Sequence, residues 1–237
     1  MIKRIYHGSE NRIEKPIYGY GKKYNDYGVG FYCTESLEMA KEWSVGAGRN
    51  GYANSYDLNM DGLTVLNLND REYCVLHWLS VLLRNREFEM SSGLAAEAKE
   101  YLTRYFTPDY LAADVIVGYR ADDSYFSFAQ DFISGAISYR QLSAAMHLGK
   151  LGLQIVLKSE KAFSQISFVD AEIAMADEWF AKRQFRDKSA RNEYFNVERN
   201  KRQRGDLYIT QILDEEMKAD DKRLRQELSG KSKGLSR

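Results

Sequence analysis

Tyr6-His7-Gly8-Ser9 stands near the start of the chain. Tyr27-Gly28-Val29-Gly30-Phe31-Tyr32-Cys33-Thr34 follows one loop later, and Leu153-Gln154-Ile155-Val156-Leu157 stands far downstream. A His-Gly turn offers a ring nitrogen to a ribose hydroxyl and bare backbone groups to a carboxamide. An aromatic after a glycine-rich turn offers a flat face on which a nicotinamide ring can stack. In this order, with a helix-like stretch after Tyr32, the three segments read as a clamp for a nicotinamide dinucleotide.

The elements that must position these residues follow from periodicity. Ile2 to Tyr6 predicts a strand ended by the His-Gly-Ser turn. Residues 10–30 form a long loop of the kind that is usually functional. Phe31 to Cys33 begins a second strand, and Thr34 caps a helix running to about Val45. Ser55 to Leu58 and Leu63 to Leu68 predict strands around an Asp61-Gly62 turn. Val75, Leu76, Leu79, Leu82 and Leu83 share one helical face, and a second helix covers Ala95 to Tyr105. A strand at Asp114 to Tyr119 precedes another helix, marked by Tyr125, Phe126, Ala129, Phe132 and Ile133. Ser138 and Gln141 form a capping box. Leu153 to Leu157 and Gln165 to Val169 make a final pair of strands, after which the pattern is helical and charged. Short strands and tight turns without βαβ alternation predict an α+β fold.

These segments resemble the ADP-ribosyltransferases of the His-Tyr-Glu group, that of diphtheria toxin and the poly(ADP-ribose) polymerases. More narrowly, the chain is similar to an uncharacterised bacterial family of that superfamily found in small toxin-like operons. The resemblance covers roughly residues 4–170 and is loose between Asn50 and Asp114. It implies a split antiparallel β-sandwich with inserted helices and a helical C-terminal extension. By position, it gives His7 the adenosine ribose, Gly8 the nicotinamide carboxamide, and Ser9 the nicotinamide ribose. Tyr32 takes the stacking role, with Trp43 as the other wall of the pocket. Ala40 stands where the polymerases bind the carboxamide with a serine. Gln154 stands where the group has its catalytic glutamate. Glutamine keeps the hydrogen bonds but not the charge that steadies a developing oxocarbenium ion. A supporting carboxylate could come from Asp122-Asp123, and Arg12 could meet a pyrophosphate.

The resemblance implies an NAD-dependent mono-ADP-ribosyltransferase that uses NAD as co-substrate, needs no metal, and modifies a macromolecular acceptor, protein or nucleic acid. A toxin-antitoxin pairing would add an antitoxin partner. The alternatives are a non-catalytic NAD or ADP-ribose binding module, suggested by Gln154 and Ala40, and an NAD glycohydrolase. Cys74-x-x-His77 has helical metal-ligand spacing but lies in a leucine-rich helix, which favours packing. A Cys33–His7 nucleophile pair lacks an orienting third group.

Bulk properties bound the rest. The 237 residues are 44% hydrophobic, with 17 tyrosines and two cysteines, which predicts a sizeable core and a reducing compartment. With no secretion signal and no apolar run of spanning length, the expectation is a cytoplasmic protein without membrane contact. The net charge of zero hides an asymmetry, because residues 182–205 carry nine basic against three acidic groups. The expected organisation is an NAD-binding domain over residues 1–170, a helical basic extension over 171–222, and a disordered tail over 223–237. The extension either packs as helices with a solvated basic face or docks an acidic partner.

Overall fold

The computed structural model describes residues 1–224 other than Ser91, Asp122, 149–151 and Val197, and of Asp123 and Ser124 the backbone alone. The expected tail over 223–237 therefore lies almost wholly outside the described residues.

Among the described residues seven strands form two sheets, and the class is α+β. The first sheet has the order β1 (Ile2–Ser9), β3 (Gly51–Asn59), β7 (Ile166–Ala174), and both its pairings are antiparallel. The second has the order β2 (Phe31–Cys33), β6 (Leu153–Leu157), β5 (Val115–Tyr119), β4 (Val65–Asn67). Its β4–β5 pair is parallel, so this sheet is mixed and not purely antiparallel.

Alternation along the strands divides the core. Phe31, Cys33, Val115, Ile155 and Leu157 of the second sheet join Ile5, Tyr56 and Leu58 of the first in one apolar cluster. Ile116 and Val156 point the other way, into a larger cluster with the helices. That helical layer contains α2 (Val75–Asn85), α3 (Gly93–Tyr105), α4 (Asp123–Ile133) and α5 (Tyr139–Ala145). α2 is buried at every residue from Val75 to Leu83, so the face that its spacing predicts is buried together with His77, Trp78 and Ser80. The Ser138–Gln141 capping box forms at the start of α5.

Four expectations are corrected. The His-Gly-Ser segment is not a turn, because β1 runs through Ser9 and pairs it with Tyr52. The helix cap is Ser36, not Thr34. Its hydroxyl accepts from the Met39 N–H and opens α1 (Leu37–Ser44), while Thr34 bridges to Tyr6. The strands around Asp61-Gly62 do not form a hairpin, since β3 and β4 belong to different sheets. The chain just after residue 170, where the pattern reads as helical, is still strand, to Ala174.

Beyond β7, α7 (Ala176–Asn196) and α8 (Ile209–Asp214) pack back onto the body. Ala190, Tyr194, Ile209 and Ile212 enter the main apolar cluster. No helix of the described residues is long and apolar enough to cross a membrane.

Candidate functional site

The site begins where the two sheets touch. β1 and β2 are edge strands of different sheets. They are joined at one rung, where Tyr6 and Thr34 exchange backbone hydrogen bonds of 2.8 and 2.9 Å. In this antiparallel register the next hydrogen-bonded rung would pair Gly8 with Tyr32. Among the described residues that rung is not made. The His7 ring replaces it on one side, with Nδ1 2.7 Å from the Tyr32 carbonyl oxygen. The Gly8 N–H and C=O point to the same edge as those of Tyr6 and so face the opening, since backbone groups alternate along a strand.

The types of these residues follow from the geometry. A Cβ on Gly8 would lie 2.2 Å from the Ala40 carbonyl oxygen and 3.0 Å from the Trp43 Cβ. Only glycine lets α1 cross β1 this closely. His7 lies against Phe31, with ring centroids 4.3 Å apart. Burial lowers its pKa, opposed by the hydrogen bond to Tyr32. A carbonyl can only accept, so Nδ1 carries the proton and the neutral ring presents Nε2 as an acceptor.

Tyr32 projects from the opposite face of β2. Its hydroxyl donates to the Gly28 carbonyl at 2.6 Å and accepts from the Tyr27 N–H at 3.1 Å. Both bonds fix the ring, and burial holds its phenol well above the ordinary value. Gly28 has φ +74°, the left-handed conformation needed to turn the chain into β2. Lys158 Nζ donates to the carbonyls of Tyr27 and Val29, and burial lowers its pKa to about 8.

Val156 is the partner of Tyr32 in register, and Gln154 lies two residues further along β6 on the same face. Gln154 is 6% exposed, and its Oε1 has no hydrogen-bond partner among the described residues. Such an atom is uncommon in a folded interior, because leaving a buried acceptor unmatched costs about 1–3 kcal/mol. The Arg120 guanidinium stacks on Trp43, 3.8 Å from the ring centroid, which the sequence reading did not foresee. A basic residue directly after a strand that ends beside the site was the only signal for it.

The structure therefore brings together His7, Gly8, Tyr32 and Trp43, with Gln154 on the Tyr32 face. Ser9, half-buried, follows Gly8 at the end of β1, and its hydroxyl accepts from the Asn11 N–H at 3.2 Å. Arg12 is exposed, 3.0 Å from Glu14, with its guanidinium over Phe168. Asp122 lies outside the described residues, as does the side chain of Asp123. Cys74 and His77 form a helix cap, in which the Cys74 N–H donates to His77 Nδ1 at 3.0 Å. Cys33 is fully buried with a raised pKa, unlike an activated nucleophile.

Two further residues hold the site without having been anticipated. Glu42 of α1, 2% exposed, makes a two-point ion pair with Arg186 of α7 at 2.6 and 2.8 Å. Asn54 of β3, fully buried, holds the start of the 10–30 loop by donating to the carbonyls of His7 and Asn11 and accepting from the Ile13 N–H. A cleft of about 640 Å³ lies on the other face of the second sheet, lined by Val117, Leu153, Ile155 and Arg186 among others. None of the expected site residues lines it, so its volume says nothing about them.

Fold and site thus define a two-sheet α+β protein with an opened rung between its edge strands. The profile of the family described as "Protein of unknown function (DUF3990)" matches residues 3–168, and the chain belongs to that family. No curated protein and no solved structure matches it.

Proposed function

We propose that this protein is a mono-ADP-ribosyltransferase of the His-Tyr-Glu type that binds NAD at the opened rung. The observation that carries the reading is the unmade Gly8–Tyr32 pairing. It leaves a donor and an acceptor side by side on one strand edge, which matches the donor and acceptor of a primary carboxamide. On this reading the fixed Tyr32 ring stacks the nicotinamide, and His7 Nε2 accepts from a ribose hydroxyl. Gln154 Oε1 finds its missing partner in a hydroxyl of the nicotinamide ribose. The C–N glycosidic bond breaks with its electron pair leaving on nicotinamide. The anomeric carbon then bonds to an acceptor oxygen or nitrogen, which releases its proton.

Gln154 steadies the cationic transition state through its dipole alone, which costs ~10²–10³ in rate relative to a carboxylate. The same residue supports a second reading, a module that holds NAD or ADP-ribose without turnover. Incubation with labelled NAD in a cell lysate separates the two. Transfer puts label on macromolecules, and Gln154→Glu raises the yield. Bound but intact NAD in both proteins favours the module. Free ADP-ribose alone marks a glycohydrolase, and no NAD binding removes the reading. Because α1 carries Trp43 and is tied to α7, the C-terminal extension supports this site as well as any antitoxin contact.

A further inference from the structure

The loop between β1 and β2 carries a surface that the site does not use. Residues 15–24 read Lys-Pro-Ile-Tyr-Gly-Tyr-Gly-Lys-Lys-Tyr, with three tyrosines, three lysines and no acid. Tyr20 is 85% exposed, Tyr24 67% and Tyr18 50%. Lys15, Lys22 and Lys23 are exposed too. The acids that flank the segment are already engaged, Glu14 by Arg12 and Asp26 by Arg86. Among the described residues the three lysines therefore have no carboxylate in ion-pair reach.

This loop is rooted at both ends. Asn54 holds residues 11 and 13, and Asp26 accepts from Arg86 and from the Ala121 N–H. Gly21 lies so close to Gly30 that a Cβ would sit 2.6 Å from its carbonyl oxygen. That contact sets Lys22 and Lys23 beside the strand bearing Tyr32. Tyr18 is steadied edge-on by Phe163, with centroids 5.5 Å apart. Aromatic faces among unpaired cations, held on a fixed base, are what an unstacked polyanion recognises. An acidic protein surface would meet the lysines but offers no row of flat faces to the tyrosines, and a duplex keeps its base faces covered.

We propose that this loop binds single-stranded nucleic acid, with Tyr20 and Tyr24 stacking bases and Lys15, Lys22 and Lys23 meeting phosphates. Resting on the NAD-site reading above, such a strand is the macromolecular acceptor. The test is fluorescence anisotropy of the full chain with a labelled oligothymidylate of about 16 nucleotides, without NAD. Three lysine–phosphate contacts give a slope of log affinity against log salt of about −2. Tyr20→Ala and Tyr24→Ala each weaken binding roughly tenfold, and Lys22→Gln with Lys23→Gln flattens the slope. All keep the wild-type melting temperature, since these side chains are exposed. No binding at low salt, equal binding of duplex, or loss only on Arg202→Glu with Arg204→Glu would overturn the proposal. A thermal shift with NAD, measured separately, reports on the NAD site, so failure of either reading is recognised without the other.

Discussion

The two walls of the opened rung are held by different forces. On one side, α1 lies backbone-to-backbone on Gly8 and is tied by Glu42 to Arg186, a residue 144 positions away. On the other, the Tyr32 ring and the end of β5 are held by hydroxyl, indole and carbonyl groups, while Lys158 and the Asp26–Arg86 pair hold the turn before β2. Tyr32 donates to Gly28, and the Tyr119 carbonyl accepts from both the Tyr27 hydroxyl at 2.6 Å and Trp78 Nε1 at 3.0 Å. A carbonyl with two donors survives the loss of one, whereas a buried carboxylate without its guanidinium keeps a charge that it cannot hydrate. The Glu42–Arg186 tie in the first wall is therefore brittle and the Tyr119 carbonyl in the second tolerant, and the brittle tie depends on the C-terminal helix.

The largest effect should come from that brittle pair. Arg186→Ala should lower the unfolding free energy by ~3–5 kcal/mol in urea titrations. Replacing both partners, Glu42→Gln with Arg186→Met, should recover most of the loss. Truncation before Arg186 should cost more than the single variant, because it also strips Ala190, Tyr194, Ile209 and Ile212 from the apolar cluster, so the basic extension is not a separable arm. A single variant within ~1 kcal/mol of wild type would erase the contrast between the walls.

Gln154 sharpens the comparison in the opposite direction. Gln154→Met removes a buried acceptor that has no partner among the described residues, and should stabilise the free protein by about 1 kcal/mol or more. It should also abolish the thermal shift given by NAD. A destabilised variant would mean that the amide is already satisfied and that Gln154 is ordinary core. At the tolerant carbonyl, Tyr27→Phe should cost only ~1 kcal/mol, because Trp78 still serves it. A loss as large as that of Arg186→Ala would show the two ties to be equally brittle.

The smallest effect is one of pH. The folded-state pKa of His7 lies below the ordinary 6.5. Its contribution to stability is therefore present above pH 6.5 and lost as pH falls through the lowered value. His7→Gln should flatten the fall in melting temperature on that acid limb. An unchanged limb would assign acid sensitivity to other groups.

Much of this was legible in local patterns. The helical stripe of α2, the capping box of α5 and the bounds of β2 and β6 are set by neighbours in sequence, and the structure has them there. His7, Gly8 and Tyr32 could be singled out for the same reason, since a glycine beside a histidine and an aromatic after a glycine-rich turn are short-range signals. Pairing is different, because a strand carries no mark of its partner. Only assembly showed that β3 and β4 part into separate sheets, and that β1 continues through Ser9 because β3 is there to receive it. Glu42 and Arg186 each read as a solvated charge until packing removes the water between them. The rung left open at Gly8 depends on two strands from different sheets meeting at Tyr6 and then diverging. Local sequence sets side-chain chemistry and periodicity, while long-range packing chooses which of those groups lose their solvent and face one another.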